Sequence, residues 1–250
     1  MPELPEVETV VNDLRPILVG KCFEGLSVLS VERRGKFIVI FLAEEKVLVI
    51  HLRMTGRLIV AGLEDEAFLY ERRRLVFDDV SVRFCDQRRF GRVWLCDLRS
   101  YEEETGIWKL GVEPLEADFS TKVFADLMRG RKGTVKKWLL DQTLVAGIGN
   151  IYADEACFYA GVRPDREMGS LGEGDLERLY EAVLKALNQG VRNRGTSVKD
   201  YADAYGKSGK NQEVLFVYGR GRKGCLACGE VLVKCKVAGR GTVYCGECQE

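Results

Sequence analysis

Four cysteines near the C-terminus constrain this chain more than any other feature: Cys225-x2-Cys228, sixteen residues, then Cys245-x2-Cys248. Each Cys-x2-Cys pair suits a tight turn that brings two thiolates to one ion, and two such turns complete a tetrahedron. Gly224, Gly229 and Gly246 flank the pairs and suit those turns. The spacing predicts a zinc ribbon, with iron or disulfides as the alternatives. Four thiolates leave no coordination position open, so one structural zinc ion is expected. Cys235, between the pairs, reads as a strand residue. Cys22, Cys85, Cys96 and Cys157 lack ligand spacing and read as small buried hydrophobes.

The other end of the chain is Met1-Pro2-Glu3-Leu4-Pro5-Glu6-Val7-Glu8. Removal of Met1 would leave Pro2 as a terminal secondary amine, and an α-amino group has a pKa near 8, so a useful fraction is nucleophilic at neutral pH. Such amines form Schiff bases with sugar aldehydes, and an adjacent carboxyl such as Glu3 can move the protons. The same residues also start a helix. Pro5 suits a first helical position, glutamates favour the positive end of the dipole, and Val7, Val10, Val11 and Leu14 recur at helical spacing. Both readings can hold together.

A length of 250 residues suits one large domain or two smaller ones, and 46% apolar residues suffice for a core. No apolar run approaches the roughly 18–20 residues needed to span a bilayer. The acidic N-terminus lacks the basic-then-apolar order of a secretion signal, so a bacterial-type cytosolic enzyme is expected. Net charge is zero, so local clusters matter more than the sum. Residues 206–250 hold eight Lys/Arg against four Asp/Glu, and Arg129, Arg131, Lys132, Lys136 and Lys137 form a second basic run. These patches permit a polyanionic partner and do not require one.

After the first helix, Phe37–Leu42, Val47–Leu52, Arg57–Val60, Arg74–Phe77, Ser81–Cys85 and Val93–Leu95 read as short strands, which suggests a β-sandwich or barrel. Gly111–Phe119 reads as a linker. Helices are expected at Val135–Leu140 and Asn150–Ala160, flanking the turn Val145-Ala146-Gly147-Ile148-Gly149-Asn150, and from about Gly174 to Gly190. Gly206–Asn211 reads as a mobile loop. The expected class is a multidomain α+β chain: an N-terminal β-sandwich with a leading helix at 1–112, a linker and helical domain at 113–205, and a loop plus four-Cys finger at 206–250.

A Pro-Glu terminus, a helix-GIGN-helix unit and a C-terminal four-Cys ribbon together resemble the formamidopyrimidine-DNA glycosylases, bacterial enzymes of oxidised-purine repair. MPELPEVETV, RRGKFIVI, HLRMTGRL, DQRRFG, KKWLLDQTLVAGIGNIYADE, VYGR and AGRGTVYC all look like family blocks in family order. The resemblance implies a sandwich, a helix–two-turn–helix domain and a zinc finger, with DNA in the cleft between. It implies that Pro2 attacks C1′ and displaces the base, that Glu3 shuttles protons with support from Glu6, and that β- and δ-elimination follow. Lys36 matches the lysine assigned to β-elimination, and Arg240 the finger arginine assigned to δ-elimination. Taken alone, Lys36 reads as a solubilising strand-edge lysine and Arg240 as a turn residue.

An enzyme that works on a base inside a duplex must extrude the nucleotide and fill the gap. Met54, Arg88 and Phe90 match the family's gap-filling trio, although Met54 and Phe90 singly read as core. His51, Asn150, Tyr218, Lys234, Arg131 and Lys136 match DNA-contact or lesion-side positions. The implied partner is double-stranded DNA with oxidised bases or abasic sites, bound by a monomer with no membrane. Three departures stand out. The segment before Lys36 is about twenty residues shorter than is usual, Leu69 stands near a common DNA-contacting histidine, and Lys210 and Asn211 replace a usual aromatic in the loop expected to close over the purine. The alternatives are an endonuclease VIII-like enzyme for oxidised pyrimidines and a non-catalytic binder of damaged DNA.

Overall fold

The computed structural model describes residues 1–198 and 200–250. Helix α1 (Leu4–Leu18) opens the chain. Pro5 loses no hydrogen bond in a first turn, and Val7, Val10, Val11, Leu14 and Leu18 form the buried stripe. Eight strands follow: β1 (Cys22–Phe23), β2 (Leu26–Arg34), β3 (Phe37–Leu42), β4 (Lys46–His51), β5 (Gly56–Ala61), β6 (Glu71–Phe77), β7 (Val80–Asp86) and β8 (Arg92–Asp97). They pair in the order β5-β7-β6-β1-β2-β3-β4-β8.

All six expected strands are present. The sandwich arises at β2, which sequence reading missed. Leu26 and Ser27 pair with β1, whereas Val28–Arg34 pair with β3, and the register shifts between Val28 and Ser30. The extra residue, Leu29, is exposed. A bulge bends and twists a strand, here enough to serve both layers. Ile38, Ile40, Leu48 and Ile50 from one layer share a core with Leu58, Leu75, Phe77, Val82 and Phe84 from the other and with α1. Helix α2 (Tyr101–Thr105) follows β8.

Two compact units form: Met1–Lys109 with Gly190–Gln212, and Leu110–Gln189 with Glu213–Glu250. The division expected from sequence placed 190–205 with the helical segment and 206–212 with the finger. By compactness, residues 190–212 pack with the first unit. Arg194 fastens this stretch by bridging the buried Asp13 and Asp203 at 2.6 Å each, and Tyr201 and Ala204 enter the core. Asn211 is buried, its amide donating to Thr196 Oγ1 at 2.9 Å. The end of the loop read as mobile is therefore a built element.

The second unit holds α3 (Thr121–Met128), α4 (Val135–Leu139), α5 (Asn150–Ala160) and most of α6 (Glu173–Arg192). Ser120 caps α3 by accepting the Val123 N–H. Strands β9 (Val233–Val237) and β10 (Arg240–Tyr244) form a hairpin containing Cys235. Its two-residue turn, Ala238 at φ 49° and Gly239 at φ 73°, has the left-handed conformation that tight hairpins need. Among the described residues no helix is long and apolar enough to cross a membrane.

Candidate active site and nucleic-acid interface

Pro2 and Glu3 are buried where α1 begins. Glu6 fixes this turn. One carboxylate oxygen accepts the Glu3 N–H at 2.8 Å and the other accepts the Thr196 N–H at 2.7 Å. Gly195, with φ +82°, comes so close that an added Cβ would lie 2.7 Å from Tyr201 and 2.9 Å from Glu6. With both oxygens committed to backbone donors, Glu6 positions the terminus.

Gly35 and Lys36 form the two-residue turn between β2 and β3, since Arg34 pairs with Phe37. Lys36 therefore sits at a hairpin tip and is half-buried. Arg33 links this tip to α1 by an ion pair with Glu8 at 2.6 Å. His51 lies opposite Phe37 in the sheet, its ring edge-on at 4.4 Å. Burial first, then the charges of Arg53 and Lys36, push the imidazole down to about 3. The ring is neutral at physiological pH. Its Nδ1 accepts the Arg53 N–H at 2.9 Å, so the ring proton sits on Nε2. Any anion held by His51 would be met by a neutral N–H donor.

Met54, Arg88 and Phe90 converge. Arg88 Nη1 lies 3.2 Å from Met54 Sδ, and its guanidinium lies 4.7 Å from the Phe90 ring centre. Met54 is 40% exposed and Phe90 51%, so neither is a core residue. Asp86 builds the loop that carries Arg88 and Phe90. Its buried carboxylate accepts the Thr55 hydroxyl, the Arg88 N–H at 3.2 Å and the Gly91 N–H at 2.7 Å. A Cβ at Gly91 would lie 2.4 Å from the Phe84 ring. Asp86 and Thr55 were not singled out from the sequence. An aspartate opening a loop that closes on glycine was the available signal.

In the second unit, α5 carries two consecutive buried carboxylates. Lys136 is fully buried, donating to Asp154 at 2.5 Å, Thr242 Oγ1 at 2.8 Å and Gly241 O at 3.1 Å. An ammonium has three protons, and all three are used here. This overturns the reading of Lys136 as a DNA contact: it is an internal strut under the Arg240 turn. Burial pushes Asp154 up to about 7, opposed in part by Lys136, and Asp154 also accepts the Val243 N–H. Asn150, at the start of α5, donates its amide to Gly241 O at 3.0 Å, so Lys136 and Asn150 grip the carbonyl next to Arg240. Arg240 itself is exposed.

Glu155 accepts N–H bonds from Phe216, Val217 and Tyr218 at 2.8–2.9 Å, which sets the half-buried Tyr218 segment. Burial raises its carboxyl, and those three donors oppose the rise. Lys234 is exposed and covers Gly221, where an added Cβ would lie 2.9 Å from the lysine Cβ. Arg131 is half-buried, bonded to Leu127 O and stacked 4.7 Å above Trp138. Asp154 and Glu155, the organising pair, were also missed from sequence, because their role depends on burial.

The sulfurs of Cys225, Cys228, Cys245 and Cys248 all lie within 4.8 Å of one another, with Cys225–Cys248 at 3.9 Å and Cys228–Cys245 at 3.5 Å. Tetrahedral zinc with bonds of about 2.3 Å places its sulfurs about 3.8 Å apart. The four residues fit one Zn2+, which would clamp the finger and offer no site for chemistry.

Comparison with known proteins agrees with this geometry. A family profile described as the formamidopyrimidine-DNA glycosylase N-terminal domain matches residues 21–93, and one described as the H2TH domain of the same glycosylases matches residues 110–202. A formamidopyrimidine-DNA glycosylase of Desulfitobacterium hafniense is 39% identical over all of both chains, and one from Moorella thermoacetica is 42% identical over 93% of each. The MutM (Fpg) protein of Thermus thermophilus superposes with a TM-score of 0.91 at 38% identity, covering 99% of this chain and 98% of that one. Lactococcus lactis Fpg, solved with DNA containing an abasic site, gives 0.91 at 33% identity over 99% of both chains.

Proposed function

The chain belongs to the formamidopyrimidine-DNA glycosylases, and from that premise we propose how its own residues carry out the reaction. It is a base-excision-repair DNA glycosylase with abasic-site lyase activity, acting on double-stranded DNA with oxidised purines or abasic sites. With Met1 removed, the Pro2 nitrogen attacks C1′ of the damaged nucleoside. The glycosidic bond breaks, its electron pair leaves with the base, and Glu3 moves the protons. The sugar ring then opens, the C1′–O4′ bond breaking with its electron pair and a proton going to O4′, and the iminium so formed acidifies the C2′ proton, whose removal expels the 3′ phosphate in β-elimination with Lys36 beside the reacting sugar. Loss of the 5′ phosphate in δ-elimination follows, with Arg240 holding the departing group.

Met54, Arg88 and Phe90 fill the gap left by the extruded nucleotide, with Arg88 turned to the orphaned base. His51, Asn150, Tyr218, Lys234 and Arg131 serve the DNA backbone or the lesion side. Work divides among sandwich, helical segment and finger. The substrate places the enzyme in the bacterial cytoplasm with the nucleoid.

The observation that carries this reading is the locked first turn of α1. Glu6 holds the Glu3 N–H and the 195–196 turn, so Pro2 and Glu3 begin from one geometry. Pre-organised nucleophiles need this. Borohydride should trap a covalent complex with abasic-site DNA through Pro2, and protein retaining any residue ahead of Pro2 should trap nothing. Equal trapping by the blocked protein would remove the nucleophile. One Lactococcus lactis Fpg structure contains oxidised-pyrimidine DNA, so a panel of 8-oxoguanine, formamidopyrimidine, thymine glycol and dihydrouracil tests the purine preference.

A further inference from the structure

We propose that Arg72, Arg73, Arg89 and Arg92 form a phosphate-binding pocket beside the Arg88–Phe90 loop, separate from every residue assigned above. The four line a cavity of about 300 Å3 together with Phe84 and Asp86. Backbone irregularities build it. The β6–β7 register shifts between Glu71 and Arg73, so Arg72 is the extra residue of a bulge. Bulges re-aim side chains, and Arg73 falls opposite Phe84, a core residue, at the end of the sandwich. Arg72 Nε is pinned to Asp86 O at 2.8 Å. Arg89 is held at φ 58°, a conformation a non-glycine residue keeps only where its surroundings impose it.

Charge points to the occupant. Among the described residues, Arg33, Arg74, Arg83, Arg163, Arg166, Arg178 and Arg194 all have carboxylate partners. None of the four pocket arginines has one. Asp86 also lines the pocket, its oxygens engaged by Thr55 and by the Arg88 and Gly91 amides, and it offsets one of the four charges, so the pocket keeps a net positive charge. In a chain of zero net charge, four unpaired guanidiniums around one small cavity repel each other unless an anion enters. The guanidinium fork matches phosphate oxygens. The source is either a DNA phosphodiester beside the wedge or a small phosphate ion. The DNA source rests on the proposed function, and it would add a sequence-independent grip where the duplex is opened.

Arg73 and Arg92 are exposed, so R73Q/R92Q should fold normally. Binding of the full-length, zinc-loaded protein to a duplex with a tetrahydrofuran abasic analogue is measured across salt concentrations. Each lost phosphate contact lowers the slope of log K against log salt by about 0.9. The slope should fall by about that much per contact in R73Q/R92Q, and not in K46Q/R99Q, which removes two cations elsewhere in the same unit. In parallel, inorganic phosphate is titrated into DNA-free protein and read at the arginine Nε signals. An unchanged slope with phosphate shifts that vanish in R73Q/R92Q assigns the pocket to the small ion. Unchanged slope and no such shifts would overturn the pocket. Borohydride trapping at Pro2, which the variant should retain, tests the glycosylase reading separately.

Discussion

Lys136→Met removes the cation paired with Asp154 and leaves that carboxylate buried with the Val243 N–H at 3.2 Å. Breaking a buried ion pair from one side costs about 3–5 kcal/mol. The pH dependence makes the test specific. In the wild type, burial already holds Asp154 near 7, above its ordinary 3.8. The folded state therefore binds this proton more tightly than the unfolded state does. That contribution is present at low pH and is lost as pH rises from about 4 to about 7. Without Lys136 only the Val243 N–H opposes burial, the carboxyl moves further up, and the loss continues above pH 7 at about 1.4 kcal/mol per unit. The variant should be close to wild type near pH 6 and about 3 kcal/mol less stable near pH 9. Trp138 reports on this unit, and fluorotryptophan NMR separates it from Trp94 and Trp108 during urea unfolding. K136M/D154N, which keeps an acceptor for Val243 but cannot ionise, should flatten the pH slope. A pH-independent penalty, or the same slope in the double variant, would refute the buried-pair argument.

Other outcomes follow from the same geometry. His51 is held near 3 against an ordinary 6.5, so the folded state refuses a proton the unfolded state accepts. Its contribution is present above pH 6.5 and is lost as pH falls toward 3, by up to about 1.4 kcal/mol per unit, so H51Q should flatten that part of the acid unfolding curve. C245S should lower bound zinc from one equivalent to none and abolish binding to abasic DNA. Full binding by metal-free protein would make the finger dispensable. F90A, at an exposed position, should change stability by no more than about 0.5 kcal/mol while slowing excision, whereas D86N should impair both, measured by urea midpoint and single-turnover rate.

The legible parts of this fold were those written in local pattern. The short apolar strands, the helix around Val7–Leu14 and the paired cysteines each depend on residues close in sequence. Strand β2 escaped because Ser27 and Ser30 interrupt its apolar residues and its end is charged, Glu32-Arg33-Arg34. The site was legible as a set of residue types, and its membership was misjudged where burial decides. Lys136 lies within a basic run that reads as a surface, yet Asp154 and Thr242 draw it inside. Asn211 lies in a glycine-rich stretch that reads as a loop, yet Thr196 anchors it.

The available chemistry is written in residue types alone: a proline that can become a terminal amine, a carboxylate beside it, four thiolates at ligand spacing and an aromatic in an arginine-rich loop. Tertiary structure alone decided which charges face water and which hold the frame. Glu6, Asp86, Asp154 and Glu155 are surface-like residue types; Glu6, Asp154 and Glu155 meet backbone N–H groups from distant segments, and Asp86 meets the distant Thr55 hydroxyl. A buried carboxylate is tolerated only where donors meet it, and those donors come together only when the chain has folded.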